Sequence, residues 1–157
     1  MQQKSIHINY QEGSDVKQLP KDIQQLISET IQFADNAYAP YSNFHVSAGL
    51  LLENGKILKG ANVENASYPV SICAERTLLS HTVSNYPKEK INTLVIYVDR
   101  AGTSPVPPCG ICRQTLLEVE LNQQSPIKVI MVAKAGNFIQ FEKAADLLPL
   151  YFDGEFL

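Results

Sequence analysis

The chain has only three cysteines among 157 residues, at positions 73, 109 and 112. Three thiols cannot all pair, so a disulfide framework is excluded and a reducing, cytoplasmic setting is expected. No apolar run approaches the roughly 18–20 residues needed to span a bilayer, and Met1 to Asp15 lacks the apolar stretch of a signal peptide. There is no excess of basic residues: 13 Lys and Arg stand against 16 Asp and Glu, a net charge of −3. A phosphate backbone meets such a surface with mild repulsion, so neither nucleic acid nor membrane is an expected partner. Repeats, low-complexity tracts and charge blocks are also missing. One domain over 1–157 is therefore expected, with 1–19 as an N-terminal extension. What is present, 45% hydrophobic and 18% charged residues, suits an ordinary globular protein.

The periodicity alternates between helix and strand. Ile23, Leu26, Ile27, Ile31, Ala34 and Tyr38 recur at helical spacing from Pro20, which suits a first turn. Phe44–Leu52 and Lys56–Val63 flank Asn54-Gly55, a strong hairpin signal. Helices are predicted over Cys73–Ser84 and Cys109–Leu121, with a last short one over Glu142–Leu148 stopped by Pro149. Thr93–Val98 and Lys128–Ala133 are apolar, β-branched runs of the kind that form buried strands. Ile6, Ile8 and Tyr10 alternate like an edge strand. This order predicts an α/β fold, a single mixed sheet with helices packed on its faces.

All three cysteines fall at predicted helix starts, each after an irregular, proline-bearing segment. Unsatisfied N–H groups and partial positive charge at helix N-termini stabilise thiolates. The Cys109-x-x-Cys112 pair alone serves metal binding or redox chemistry equally well. A third sulfur from Cys73 gives three ligands if the helix starts converge, leaving a tetrahedral zinc one open position, the mark of a catalytic site. A structural site requires a fourth ligand, for which His45 and His81 are candidates. Glu75, two residues beyond Cys73, can serve a metal-activated water as base and then acid without ligating. Cys73-Ala74-Glu75 followed by Pro108-Cys109-Gly110-Ile111-Cys112 has the three-cysteine form of the zinc-dependent nucleobase deaminase signature.

The chain resembles the homotetrameric, zinc-dependent cytidine deaminases of pyrimidine salvage. The resemblance rests on Ala39-Pro40-Tyr41-Ser42-Asn43-Phe44-His45-Val46, Asn62-Val63-Glu64-Asn65-Ala66-Ser67-Tyr68-Pro69, Cys73-Ala74-Glu75-Arg76-Thr77, Pro108-Cys109-Gly110-Ile111-Cys112-Arg113-Gln114 and Leu147-Leu148-Pro149 with Phe152. It implies a cytidine-deaminase-like α/β/α fold and one Zn²⁺ per chain on Cys73, Cys109 and Cys112, with Glu75 catalytic. It also implies that Asn62 and Glu64 bind the ribose hydroxyls and that Ala74 presents backbone groups to the base. Phe44 is expected to pack on the nucleoside, and Phe152 to do so from a neighbouring subunit of a homo-oligomer. The implied reaction hydrolyses cytidine, and 2′-deoxycytidine with it, to the uracil nucleoside and ammonia. Attack at C4 comes from zinc-activated water, with Glu75 shuttling the proton. Three thiolates on Zn²⁺ sum to −1 and weaken its Lewis acidity, so Arg76 is expected to donate hydrogen bonds to a ligand sulfur. Three departures stand out. Residues 1–19 lack a counterpart, Pro107 stands where the family usually has serine, and Ile111 is bulkier than the usual alanine.

Two other readings remain open from the residues. One is a related deaminase acting on another aminopyrimidine nucleoside or base. The other is a non-catalytic zinc or dithiol assembly module. A dithiol switch, however, has no use for Cys73, Glu75 or Arg76. Taken singly, phenylalanines such as Phe44 and Phe152 are more often core residues than ligand contacts, and Asn62 and Glu64 fit a solvated strand end.

Overall fold

The computed structural model describes residues 1–100 and 102–157. Six strands form one mixed sheet: β1 (Gln11–Gly13), β2 (Val46–Leu52), β3 (Ile57–Ala61), β4 (Ile91–Val98), β5 (Lys128–Val132) and β6 (Phe138–Phe141). Their spatial order is β1-β6-β5-β4-β2-β3. Only β4 and β5 pair in parallel, joined through α3 (Gly110–Gln123); every other adjacent pair is antiparallel. The remaining helices are α1 (Lys21–Phe33) and α2 (Ala74–Asn85).

Strand periodicity divides the core into two layers, because successive side chains point to opposite faces. Val95, Tyr97, Ile130 and Val132 meet Ile23, Leu26 and Ile27 of α1 on one face. Leu94, Ile96, Val129 and Met131 meet Leu78 and Leu79 of α2 and Leu116 of α3 on the other. Being covered on both sides is what makes β4 and β5 near-continuous apolar runs. The expected α/β sheet with helices on both faces is the observed architecture.

Several boundaries differ from expectation. The first helix ends at Phe33 and passes into a 3-10 turn over Ala34–Asn36. The hairpin does close between Leu52 and Lys56 as expected, with Leu52 N–H bonded to Lys56 O at 2.9 Å and Gly55 at φ 84°. Only glycine adopts that backbone without strain. The helix expected over Glu142–Leu148 is a single 3-10 turn, Ala144–Leu147. Buried Glu120 on α3 accepts from the N–H groups of Ala144 (2.6 Å) and Ala145 (3.0 Å), so a side chain supplies what a longer helix would have satisfied internally. The edge strand lies at Gln11–Gly13 and not at Ile6, Ile8 and Tyr10, which are exposed. Its partner β6 ends at Phe141, and there Tyr10 stacks on the Phe141 ring (5.5 Å between centroids) instead of continuing the ladder. Strand β6 itself was not anticipated: four residues are too few for a clear alternation.

Topology then decides where a site can form. Strand β2 runs antiparallel to both its neighbours, so β3 and β4 point the same way. The chain leaves the C-terminal ends of β3 and β4 and enters α2 and α3, which share one face of the sheet. Both helix N-termini therefore come to the same end of the sheet, beside the start of β2. Gly60 sets how closely α2 approaches: a Cβ there would lie 2.8 Å from Leu78 Cβ and 3.1 Å from Ala74 O.

Candidate active site

Cys73 and Cys109 are the N-cap residues of α2 and α3, both in extended conformation (φ −68° and −67°), and Cys112 lies in the first turn of α3. Val63 and Ile72 exchange a pair of backbone hydrogen bonds, both 2.9 Å, which holds the chain immediately before Cys73 against the extension of β3. The segment before Cys109 is held by Arg113, which donates through Nε to Pro108 O (2.9 Å) and through a guanidinium NH to Leu147 O (3.0 Å). The sequence alone does not reveal that duty of Arg113.

The three sulfurs converge. All lie within 4.8 Å of one another, with Cys73–Cys109 at 3.9 Å and Cys109–Cys112 at 3.5 Å. A tetrahedral zinc with Zn–S bonds of about 2.3 Å requires sulfur separations of about 3.8 Å. The donor set and its spacing thus fit one zinc ion. Hydrogen bonding with Cys112 brings the Cys73 thiol down to about 6, while the same bond and burial push the Cys112 thiol up. Arg76 adds to the lowering at Cys73 through its positive charge; among the described residues it makes no hydrogen bond to sulfur.

Glu75 sits one residue into α2, 4% exposed. Burial pushes its carboxyl above the usual carboxylate range. It shares the wall of a cavity of about 630 Å³ with Cys73, Ala74 and Cys109, while Cys112 is fully buried. Phe44, Val46, Asn62 and Glu64 also line the cavity, with Ile96 and Val98 at the end of β4. The volume suits a nucleoside-sized ligand, and the lining is mostly apolar with a few polar groups.

Asn62 is buried, and its carboxamide takes Val46 N–H on Oδ1 and gives Nδ2–H to Phe44 O, both at 2.9 Å. Glu64 accepts through Oε2 from the N–H groups of Tyr41 (3.0 Å) and Ser42 (3.3 Å), and through Oε1 from the Ser42 hydroxyl. The Ser42 hydroxyl, with the two backbone N–H groups, holds the Glu64 carboxyl below its ordinary value against the opposing effect of burial. Bridges from Tyr38 to Asn62 and Glu64 (3.0 and 2.8 Å) fix this strand extension on its other side. The role of Ser42 is not legible in the sequence, because only the fold brings it to a residue 22 positions away.

Phe152 is not brought to this cavity by its own chain. It is 57% exposed and stacks on Phe156 (5.8 Å between centroids), while its carbonyl accepts from Gln114 Nε2 at 2.9 Å. Of the departures noted above, Pro107 lines the cavity, whereas Ile111 projects from α3 with 63% exposure and does not crowd the sulfurs.

Residues 20–125 match the model of the cytidine and deoxycytidylate deaminase zinc-binding region. The chain is 41% identical to a cytidine deaminase of Halalkalibacterium halodurans over 134 residues, covering 85% of this chain and 96% of that one. It is 38% identical to one of Sporosarcina psychrophila, covering 85% and 93%. The crystal structure of a cytidine deaminase from Burkholderia pseudomallei superposes with a TM-score of 0.72 at 35% identity, covering 82% of this chain and 98% of that one. With the matched region carrying Cys73, Glu75, Cys109 and Cys112, the chain belongs to the cytidine and deoxycytidylate deaminase family of zinc-dependent hydrolases.

Proposed function

We propose that this protein hydrolyses cytidine to uridine and ammonia, and 2′-deoxycytidine in the same way, with Glu75 as its proton carrier. The observation that carries the reading is Glu75 itself: a buried carboxyl on the wall of a nucleoside-sized cavity, beside three converging sulfurs. Cys73, Cys109 and Cys112 hold the Zn²⁺, which when bound supplies Lewis acidity that makes water nucleophilic at neutral pH. Glu75 accepts a proton from the water that adds to C4 and delivers it to N3. It then accepts the remaining hydroxyl proton and passes it to the departing amine, so one water is consumed and one ammonia released. A carboxyl that burial makes hold its proton more firmly is suited to both halves of that exchange.

Ala74, at the first position of α2, offers backbone groups to the base, and Phe44 forms the apolar side of the nucleoside pocket. Asn62 and Glu64 bind the ribose hydroxyls. Arg76 offsets the excess negative charge of three thiolates, which its position beside Cys73 favours. Phe152 completes the pocket of a neighbouring subunit in a homo-oligomer, by family a tetramer. The exposed tail supports this, with Leu150 at 91% and Phe152 and Phe156 beside it. Residues 1–157 act as one deaminase domain with 1–19 as an appended arm, in the cytoplasm. No helix among the described residues is long and apolar enough to cross a membrane.

The test is an ultraviolet assay with cytidine, deoxycytidine, cytosine and adenosine in parallel. Turnover of the two cytosine nucleosides, with cytosine and adenosine untouched, is the expected result. Turnover confined to a free base or to adenosine would overturn the reading.

A further inference from the structure

Two segments of the cavity wall, Tyr41–Phe44 and Asn62–Glu64, are joined by hydrogen bonds, and Ser42 links them. The Ser42 hydroxyl donates to Glu64 Oε1 and accepts the N–H of Phe44 at 3.0 Å. Asn43 between them is left-handed (φ 55°), which turns the Phe44 N–H back onto Ser42. Phe44 O in turn accepts from Asn62, so Glu64, Ser42, Phe44 and Asn62 form one chain of contacts along the pocket.

Acceptor counting shows what this does to Glu64. A carboxylate has about four lone-pair sites. Two on Oε2 are taken by Tyr41 and Ser42 N–H, and one on Oε1 by the Ser42 hydroxyl. One site remains, on Oε1. A hydroxyl's only proton points where its charge-assisted bond is strongest, here toward the carboxylate.

We propose that Ser42 is a positioning residue for sugar recognition, aiming the last free acceptor of Glu64 at one ribose hydroxyl while fixing Phe44 beside it. This rests on the reading of the cavity as a cytidine site. Without the Ser42 hydroxyl, Glu64 stays anchored through Oε2 but its Oε1 loses its fixed partner and can tilt away, and the Phe44 N–H loses its acceptor. The larger effect falls on binding of a substrate that presents a ring hydroxyl; the smaller loosening of Phe44 is shared by any nucleoside, and the proton transfers at Glu75 are untouched.

The experiment measures kcat and KM of wild type, Ser42→Ala and Ser42→Thr on cytidine and on 2′,3′-dideoxycytidine, which has no ring hydroxyls. For Ser42→Ala, KM for cytidine is expected to rise about tenfold or more, the lower end of what one charge-assisted hydrogen bond contributes. Its kcat should stay within about twofold and its KM for the dideoxy substrate should change little. Ser42→Thr, which keeps the hydroxyl, should restore the cytidine KM, and this rescue separates positioning from a folding defect. Equal losses on both substrates, a fall in kcat at unchanged KM, or no change on cytidine would each overturn the proposal while the wild type still deaminates cytidine. A wild type that deaminates neither nucleoside overturns the cytidine reading and this inference together.

Discussion

Replacing Glu75 by glutamine keeps the volume and shape of a side chain that is only 4% exposed but removes its ability to accept a proton. A positioned acid or base contributes about 10²–10⁴ in rate. Here two transfers in sequence use one carboxyl, so the upper end applies. The cavity wall holds one other carboxylate, Glu64, and it is already bound to two N–H groups and a hydroxyl. Anchored by those three bonds, Glu64 cannot move into the place of Glu75. We therefore expect kcat of Glu75→Gln to fall about 10⁴-fold, equivalent to about 5.4 kcal/mol of transition-state stabilisation. The sulfurs of Cys73, Cys109 and Cys112 are untouched, so zinc content should stay near one per chain. The assay pairs the ultraviolet change from a cytosine to a uracil ring with metal analysis of the same sample. Activity within tenfold of wild type would refute the proton-carrier argument. Loss of zinc would show that Glu75 holds the metal site together.

Cys112→Ser removes a fully buried sulfur from the triad, and metal content is expected to drop from about one per chain to about a tenth or less; retained zinc after dialysis would exclude Cys112 as a ligand. Gly60→Ala forces a methyl to 2.8 Å from Leu78 Cβ, so α2 must shift from β3 at a cost of about 1–3 kcal/mol. A thermal unfolding midpoint lower by roughly 2–10 °C is expected, and an unchanged midpoint counts against the close-approach argument. Phe152→Ala should change the stability of an isolated chain by no more than about 0.5 kcal/mol, because the ring is 57% exposed and stacks only on Phe156. It should nevertheless raise KM for cytidine and loosen the assembly seen by sedimentation. An unchanged KM would remove Phe152 from the binding pocket.

Much of this protein is legible in its sequence because the signals are local. The apolar runs of β4 and β5, the spacing of Ile23, Leu26 and Ile27, and the Asn54-Gly55 turn each follow from periodicity or backbone preference within a dozen residues. The Cys-x-Glu and Pro-Cys-x-x-Cys segments likewise carry their signature in short spacings, enough to indicate zinc and to single out Glu75 as the carboxyl proposed to move protons. Strand β6, the place of the edge strand and the shortness of the last helical turn were not legible. Each depends on partners far away in the chain: Gln140 for Gln11, Glu120 for Ala144.

The odd count of cysteines belongs to the sequence, and it excludes full pairing whatever the fold. That the three become one metal site is decided by tertiary structure. Strands β3 and β4 point the same way, so α2 and α3 start at one end of the sheet and bring Cys73 to 3.9 Å from Cys109 across 36 residues. Ser42 and Glu64 meet for the same reason, since a side-chain hydrogen bond reaches a few ångströms and only the folded sheet brings these segments that close.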